Sequence, residues 1–184
     1  MKTKLPIFFF IFNFQLIVST CFAQTPNWQW AKSAGGASDD KGNNICTDAN
    51  GNVYVTGSFQ SSSITFGTTT LTNTGSNADI FIVKYDPSGT VIWAKSAGGT
   101  GFDTGQSIST DTSGNVVVSG SFSSPSITFV TTTLINSGGG SDVFVVKYDS
   151  SGTVLWAKSV AGTSIDYGKG ISTDVNGNIF VTGW

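Results

Sequence analysis

Every charged side chain in this 184-residue chain is either Asp or Lys. There are eleven Asp and nine Lys, with no Glu, Arg or His. Aspartate is therefore the only carboxylate available for acid/base or metal chemistry. A Ser-His-Asp triad, an HExxH zinc site and a Glu acid/base pair are all excluded by the missing types. The nearest thing to a cation loop is Asp48, Asn50 and Asn52, at alternate spacing. Its Gly is misplaced and no Glu closes it, unlike an EF-hand loop, so a turn accounts for it better. The Gly-rich stretches "AGGTG" and "SGGGS" lie between strand patterns. No helix pattern follows either, so they lack the setting of a phosphate cradle.

The positions of the aspartates decide what they do. Ten of the eleven fall at matching places in a repeat: Asp40, Asp103 and Asp166; Asp48, Asp111 and Asp174; Asp79 and Asp142; Asp86 and Asp149. A residue that returns once per unit serves the unit, so turn capping and hairpin stabilisation explain them better than catalysis. The sequence accordingly assigns no catalytic residue, no metal ligand and no cofactor site. The residues that break the symmetry are Asp39, Lys41, Cys46, Tyr54, Gln60, Tyr167 and Lys169. Asp39, Lys41, Tyr167 and Lys169 could share a loop on a ligand-binding face, and drift between copies explains them equally well.

The repeat itself is explicit. Trp30, Trp93 and Trp156 are 63 residues apart, and residues 30–92 lie on 93–155 without a gap, with 40 identities. A third unit starts at Trp156 and runs to Trp184. Long-period repeats signal propellers, solenoids or arrays.

Each unit reads as strands joined by tight turns. Five Asp-x-x-Gly turns recur, at Asp48, Asp86, Asp111, Asp149 and Asp174. The Asp side chain accepts following amides, Pro87 presets φ at the second position, and the Gly permits a left-handed residue. In "NVYVTGSF", Val53, Val55 and Phe59 share one face, and Tyr54, Thr56 and Ser58 the other. "DIFIVKYD" and "DVFVVKYD" are apolar on both faces, as in a strand between layers. "TVIWAKSAG" is the next strand, and "SITFGTTTLTNTG" an inserted hairpin. The predicted fold is all-β: four-stranded antiparallel meanders, each a propeller blade. Small residues in "QSISTD" suit the crowded centre, and each Trp docks its outer strand on the next blade.

"WAKSAGGxxxDxGxxIxTDxxGNVxVxGSF", followed by "DxFxVKYDxSG", resembles the SBBP-type repeat of seven-bladed β-propeller proteins. The resemblance covers nearly all of the chain after residue 23. It implies a secreted or surface protein of a kind common in Bacteroidota, often bearing a sorting domain for type IX secretion. The chain shows no such domain. The Tyr-Asp-x-x-Gly-x3-Trp phrase also resembles the docking motif of quinone-dependent dehydrogenase propellers, through shared blade mechanics. The sialidase Asp-box is a poorer match, because its spacing is not kept.

Residues 1–23 read as a secretory signal peptide: Lys2 and Lys4, then "LPIFFFIFNFQLIV", then small residues before Gln24. A single membrane anchor is the alternative. Thr20 disfavours a lipoprotein anchor on Cys21. No later segment is apolar enough to span a membrane. Removing the signal leaves seven Lys against eleven Asp, a balance poorly suited to nucleic acid. Cys46 is then the one cysteine and reads as buried and inert.

Residues 24–184 hold about 2.6 units, whereas propellers typically need four to eight blades. The sequence-based expectation is a portion of a longer, secreted, non-enzymatic scaffold with an unidentified protein or glycan partner. Self-assembly of several chains into one ring is the rival. A propeller portion of a secreted enzyme or glycan-binding adhesin, with its functional residues beyond residue 184, is the alternative.

Overall fold

A computed structural model describes residues 27–160 and 162–184. The signal-peptide reading at 1–23 lies outside them. The described residues form fourteen strands: β1 Asp40–Thr47, β2 Val53–Phe59, β3 Ser63–Phe66, β4 Thr69–Thr72, β5 Asp79–Tyr85, β6 Val91–Ala97, β7 Asp103–Thr110, β8 Val116–Phe122, β9 Ser126–Phe129, β10 Thr132–Ile135, β11 Asp142–Tyr148, β12 Val154–Val160, β13 Gly168–Thr173 and β14 Ile179–Gly183. Strands β1-β2-β5-β6 make one antiparallel blade and β7-β8-β11-β12 a second. Strands β13 and β14 pair as the start of a third. The small hairpins β3–β4 and β9–β10 are the predicted inserts.

The five Asp-x-x-Gly turns close the hairpins as expected. In the first, Gly51 N donates to Asp48 O at 3.0 Å, while Asn50 N and Asn52 N donate to Asp48 Oδ1. The glycine is left-handed in all five, with φ between 75° and 85°, a region costly for a side chain with a Cβ. Gly67 turns the first inserted hairpin at φ 60°. Its counterpart, Val130, is forced to φ 56°.

Alternation along β2 and β5 separates two cores. Phe59, Phe81, Val83 and Tyr85 face one way with Ile64 and Phe66 of the inserted hairpin. Tyr54, Ile80 and Ile82 face the other way and pack on Val116, Val118, Phe144 and Tyr148 of the second blade. Every residue of β5 is buried, which explains its apolar text on both faces. The innermost strands are joined by hydroxyls. Thr110 Oγ1 donates to Thr47 O at 2.9 Å, and Thr173 Oγ1 to Thr110 O at 2.6 Å. Small polar side chains fit there because the strands converge.

The outer Trp phrase behaves differently in its first copy. Around Trp93 and Trp156 it forms β6 and β12, each laddered to the strand before it. Around Trp30 it forms no strand among the described residues. A strand needs a ladder partner, and no described strand precedes it. Trp30 nevertheless docks. Its Nε1 donates to Pro87 O at 3.0 Å and its ring stacks on Tyr85 at 5.5 Å.

Candidate functional site

The seam between the two blades concentrates the unusual side chains. Trp93 is carried outward by β6 and lies between Tyr54 and Tyr148, with ring centroids 6.1 and 6.0 Å away. Its Nε1 donates to Ser150 O at 3.3 Å. Lys84, from β5, donates to the same carbonyl at 2.8 Å and sits over the Tyr54 ring at 5.1 Å. Tyr54 Oη donates to Asp48 Oδ2 at 3.1 Å. Burial, reinforced by the Asp48 charge, pushes its phenol well above the ordinary range. Further in, Thr56 presses on Gly105 so closely that a Cβ there would lie 2.1 Å from Thr56 Oγ1.

The recurring aspartates are occupied by blade structure. Both Asp48 oxygens hold donors from Asn50, Asn52 and Tyr54, so the Asp48-Asn50-Asn52 spacing makes a turn. Burial pushes Asp48 up, but these donors outweigh it and hold the carboxyl below its ordinary value. Asp40 accepts from Gly36 N, Gln60 N, Ser61 N and Ser61 Oγ. Asp103 repeats that set with Gly99 N, Ser123 N, Ser124 N and Ser124 Oγ. Asp79 Oδ2 accepts from Thr74 N and Thr74 Oγ1. No group of three or more metal-ligating side chains occurs among the described residues.

The symmetry-breaking residues divide. Asp39 and Lys41 form an exposed ion pair of 3.3 Å at the start of β1. Tyr167 and Lys169 belong to β13 and its approach, with β7 lying between β13 and β1. The four do not share a loop: Lys41 and Lys169 are strand residues, and the second blade separates the pairs. Gln60 N donates to Asp39 O at 2.9 Å, so it is a structural residue. Cys46 is half-buried in β1 rather than fully buried. Burial, with the Asp48 charge adding to it, pushes its thiol up to about 12.

Two groupings were not assembled from the sequence. Trp184 opposes Tyr167 across β13–β14, and the Lys169 ammonium lies 4.6 Å from the Trp184 ring and 5.0 Å from the Tyr167 ring. The signal was available: all three positions depart from the repeat, and antiparallel pairing makes 167 and 184 neighbours. The second grouping is Asp79 with Asp103. The repeat hid it, because equivalent positions seemed to serve one blade each.

A family model described as SBBP, beta-propeller repeat, matches residues 29–58 and 155–184. The chain contains the SBBP β-propeller repeat. An uncharacterized WD repeat-containing protein of Acanthamoeba polyphaga mimivirus is 30% identical over 183 residues, covering 84% of this chain and 13% of that protein. Regulatory protein FlaEY of Caulobacter vibrioides is 30% identical over 108 residues, covering 58% of this chain and 11% of FlaEY. The chain thus spans about an eighth or less of these relatives' length. Among the described residues, no helix is long and apolar enough to cross a membrane.

Proposed function

We propose that this β-propeller repeat protein is secreted or displayed on the cell surface, and that its blades act as a non-enzymatic scaffold for a protein or glycan partner. The observation that carries this reading is the use made of the polar groups. Trp30 on Pro87 O, and Trp93 with Lys84 on Ser150 O, are docking bonds at equivalent places in successive blades. The aspartates are spent on turns and loops in the same repeated way. Chemistry of this kind builds a surface rather than a reaction centre. The same reading makes these blades part of a larger ring. On the first blade, the face equivalent to the one that receives Trp93's blade leaves Ile45 63% exposed, while its counterpart Ile108 is buried.

The second reading, a glycan-binding propeller, is favoured by Trp184, Tyr167 and Lys169. Trp184 is 71% exposed beside the half-buried Tyr167 and the Lys169 ammonium, an aromatic ring next to a hydrogen-bond donor, a combination suited to a sugar ring.

The test is recovery of the native protein from secreted and surface fractions, with its intact mass and N-terminus. The expected product begins at Gln24 and is heavier than residues 24–184. Recovery only from the cell interior, with residues 1–23 attached, overturns the location. Glycan-array binding lost in Trp184→Ala supports the second reading. Turnover of a substrate, lost on substitution of any Asp, overturns the non-enzymatic assignment.

A further inference from the structure

Two buried carboxylates meet where the first blade hands over to the second. Asp79 starts β5 and is 1% exposed. Asp103 starts β7 and is fully buried. Three contacts bring them together. Asp103 N donates to the carbonyl of Ala78, the residue before Asp79, at 2.8 Å. Gly99 N donates to Asp103 Oδ2 at 3.0 Å. Asp79 Oδ1 lies against Gly98, where a Cβ would approach it to 2.0 Å. The two carboxyl groups thus flank one Gly-Gly pair.

Their oxygens are satisfied unequally. Asp103 holds a donor on every lone-pair direction, two on each oxygen, the environment of an ionised carboxylate. Asp79 Oδ2 is bonded by Thr74, but Asp79 Oδ1 is buried with no partner. The arrangement recurs at the next seam. Gly162 N donates to Asp166 Oδ2, Asp166 N donates to Ser141 O, and Asp142 Oδ1 is again buried without a partner. Burying a bare charged oxygen costs far more than burying a neutral hydroxyl.

We propose that Asp79 and Asp103 are a proton-holding pair that latches the first blade to the second and loosens when its proton leaves. The proton sits on Asp79 Oδ1, the one oxygen of the pair with no hydrogen-bond partner, because the nearby Gly99 amide is directed at Asp103 Oδ2. Asp40 is an internal control, since it has the same four donors as Asp103 but is more exposed and lacks a neighbouring carboxylate of the Asp79 kind. Those donors hold Asp40 below its ordinary value of 3.8 against a burial cost, whereas burial raises Asp103, with the Asp79 charge adding to the rise. Burial likewise raises Asp79. Among the described residues, no cation offsets the pair. Lys84 is at the far end of β5 and bonds Ser150 O. Lys95 of β6 is in register with Ile82, well along β5 from Asp79. The loops 60–62, 73–78, 98–102 and 123–125 contain no titratable residue. The two strands flanking β7 carry Asp40 and Lys41 on β1 and Lys169 on β13, but Lys41 pairs with Asp39 and the Lys169 ammonium lies over the Tyr167 and Trp184 rings.

The composition gives this pair a clear pH window. The chain has no His, and Cys46 is pushed up to about 12. Between about pH 5 and pH 7.5, above ordinary carboxylates and below the α-amino group, a slope in stability reports a raised carboxylate, and Asp79→Asn assigns it to this pair. Both folded values are raised, so the pair's stabilisation is complete below 3.8 and declines as pH rises through them. The two carboxyls titrate as one coupled system.

The experiment is denaturant unfolding of the full chain across that window, for wild type, Asp79→Asn and Asp40→Asn. The expected result is a folding constant that falls with rising pH, towards the limit of about tenfold per unit for one proton. Asp79→Asn flattens that slope and Asp40→Asn keeps it. A flat wild-type profile, or a slope unchanged in Asp79→Asn, overturns the proposal. Infrared spectroscopy of the wild type covers the case in which the variant does not fold. A protonated-carboxyl C=O band that outlasts those of ordinary carboxylates as pH rises, and then bleaches, supports the pair. Its absence, or stoichiometric Ca²⁺ binding in its place, overturns it.

Discussion

Lys147 Nζ lies 2.8 Å from Asp111 Oδ2, although its repeat counterpart Lys84 makes no ion pair and reaches the next blade's Ser150 O instead. The difference traces to one position. In the first blade Tyr54 places its hydroxyl on Asp48, the counterpart of Asp111, and spreads its ring beneath Lys84. In the second blade that position is Val117, so the lysine falls back onto its own turn. Removing Lys147 leaves the Asp111 carboxylate without its counter-ion, held only by the Ser113 and Asn115 donors, whereas removing Lys84 loses one bond to a neutral carbonyl. Lys147→Met is expected to cost about 2–3 kcal/mol and Lys84→Met about 1 kcal/mol. Urea unfolding near neutral pH measures both.

The same ion pair has a pH signature. Burial pushes Asp111 up, but the Lys147 ammonium and the Asn115 donors outweigh it and hold the carboxyl below 3.8. A lowered folded value gives stability that is present above 3.8 and lost as pH falls through the folded value. Asp40, Asp48, Asp86, Asp149 and Asp174 are also lowered, so the acid limb belongs to the turns and loops. Asn at 86, 149 and 174 together is expected to flatten it and to lower the plateau above it, because neutral Asn resembles the protonated acid. Thermal melts from about pH 2 to pH 5 decide this; an unchanged acid limb contradicts it.

The turns and the docking indole were legible because each is local and written more than once. Asp, the following amides and Gly form their own hydrogen-bond set within five residues, so Asp48–Asn52 and Asp86–Thr90 could be read without knowing their neighbours. The strand faces were legible for a similar reason, since alternation at Val53, Tyr54 and Val55 needs only the pleat. The Asp79–Asp103 meeting was not legible. It depends on how closely two blades approach, which the 63-residue period does not encode. Lys84 and Lys147 were misleading in the same way: identical local text, "VKYD", gives two partners because a residue 30 positions earlier differs.

Trp93 should dominate the seam. It is buried between Tyr54 and Tyr148, while Trp156 is only partly covered. Trp93→Ala is expected to cost about 3–5 kcal/mol, and Trp93→Phe less, chiefly its bond to Ser150 O and some fill. Trp156→Ala should cost clearly less than Trp93→Ala in this chain. Equal losses at 93 and 156 would mean that both indoles are equally covered in solution.

Val130 is strained where Gly67 is not. Both turn an inserted hairpin in the left-handed region, at φ 56° and 60°, and Val130 is 60% exposed, so little packing opposes its removal. A β-branched residue there costs about 1–2 kcal/mol, and glycine's extra chain entropy returns about 0.5–1 kcal/mol of that. Val130→Gly should therefore raise stability slightly, by up to about 1 kcal/mol. Gly67→Val should lower it by more, because its Cβ would also come within 3.2 Å of Val91 Cγ2. Paired melts of the two variants measure the asymmetry.

Glycines on the innermost strands report whether a blade face is covered. A Cβ at Gly105 would lie 2.1 Å from Thr56 Oγ1, across the seam from the first blade. The equivalent Cβ at Gly42 would meet only Val55 Cγ1 of its own blade, at 3.7 Å. Gly105→Ala must push the blades apart and should cost about 1–3 kcal/mol, whereas Gly42→Ala should be close to neutral in this chain. In a ring the two positions become equivalent, because another blade presses on Gly42 as the first presses on Gly105. Unfolding of both variants in this chain, and again in the native product, separates the cases. Gly42→Ala neutral in the chain and costly in the native product places a further blade on that face. Gly42→Ala neutral in both leaves the face bare and removes the support for a ring.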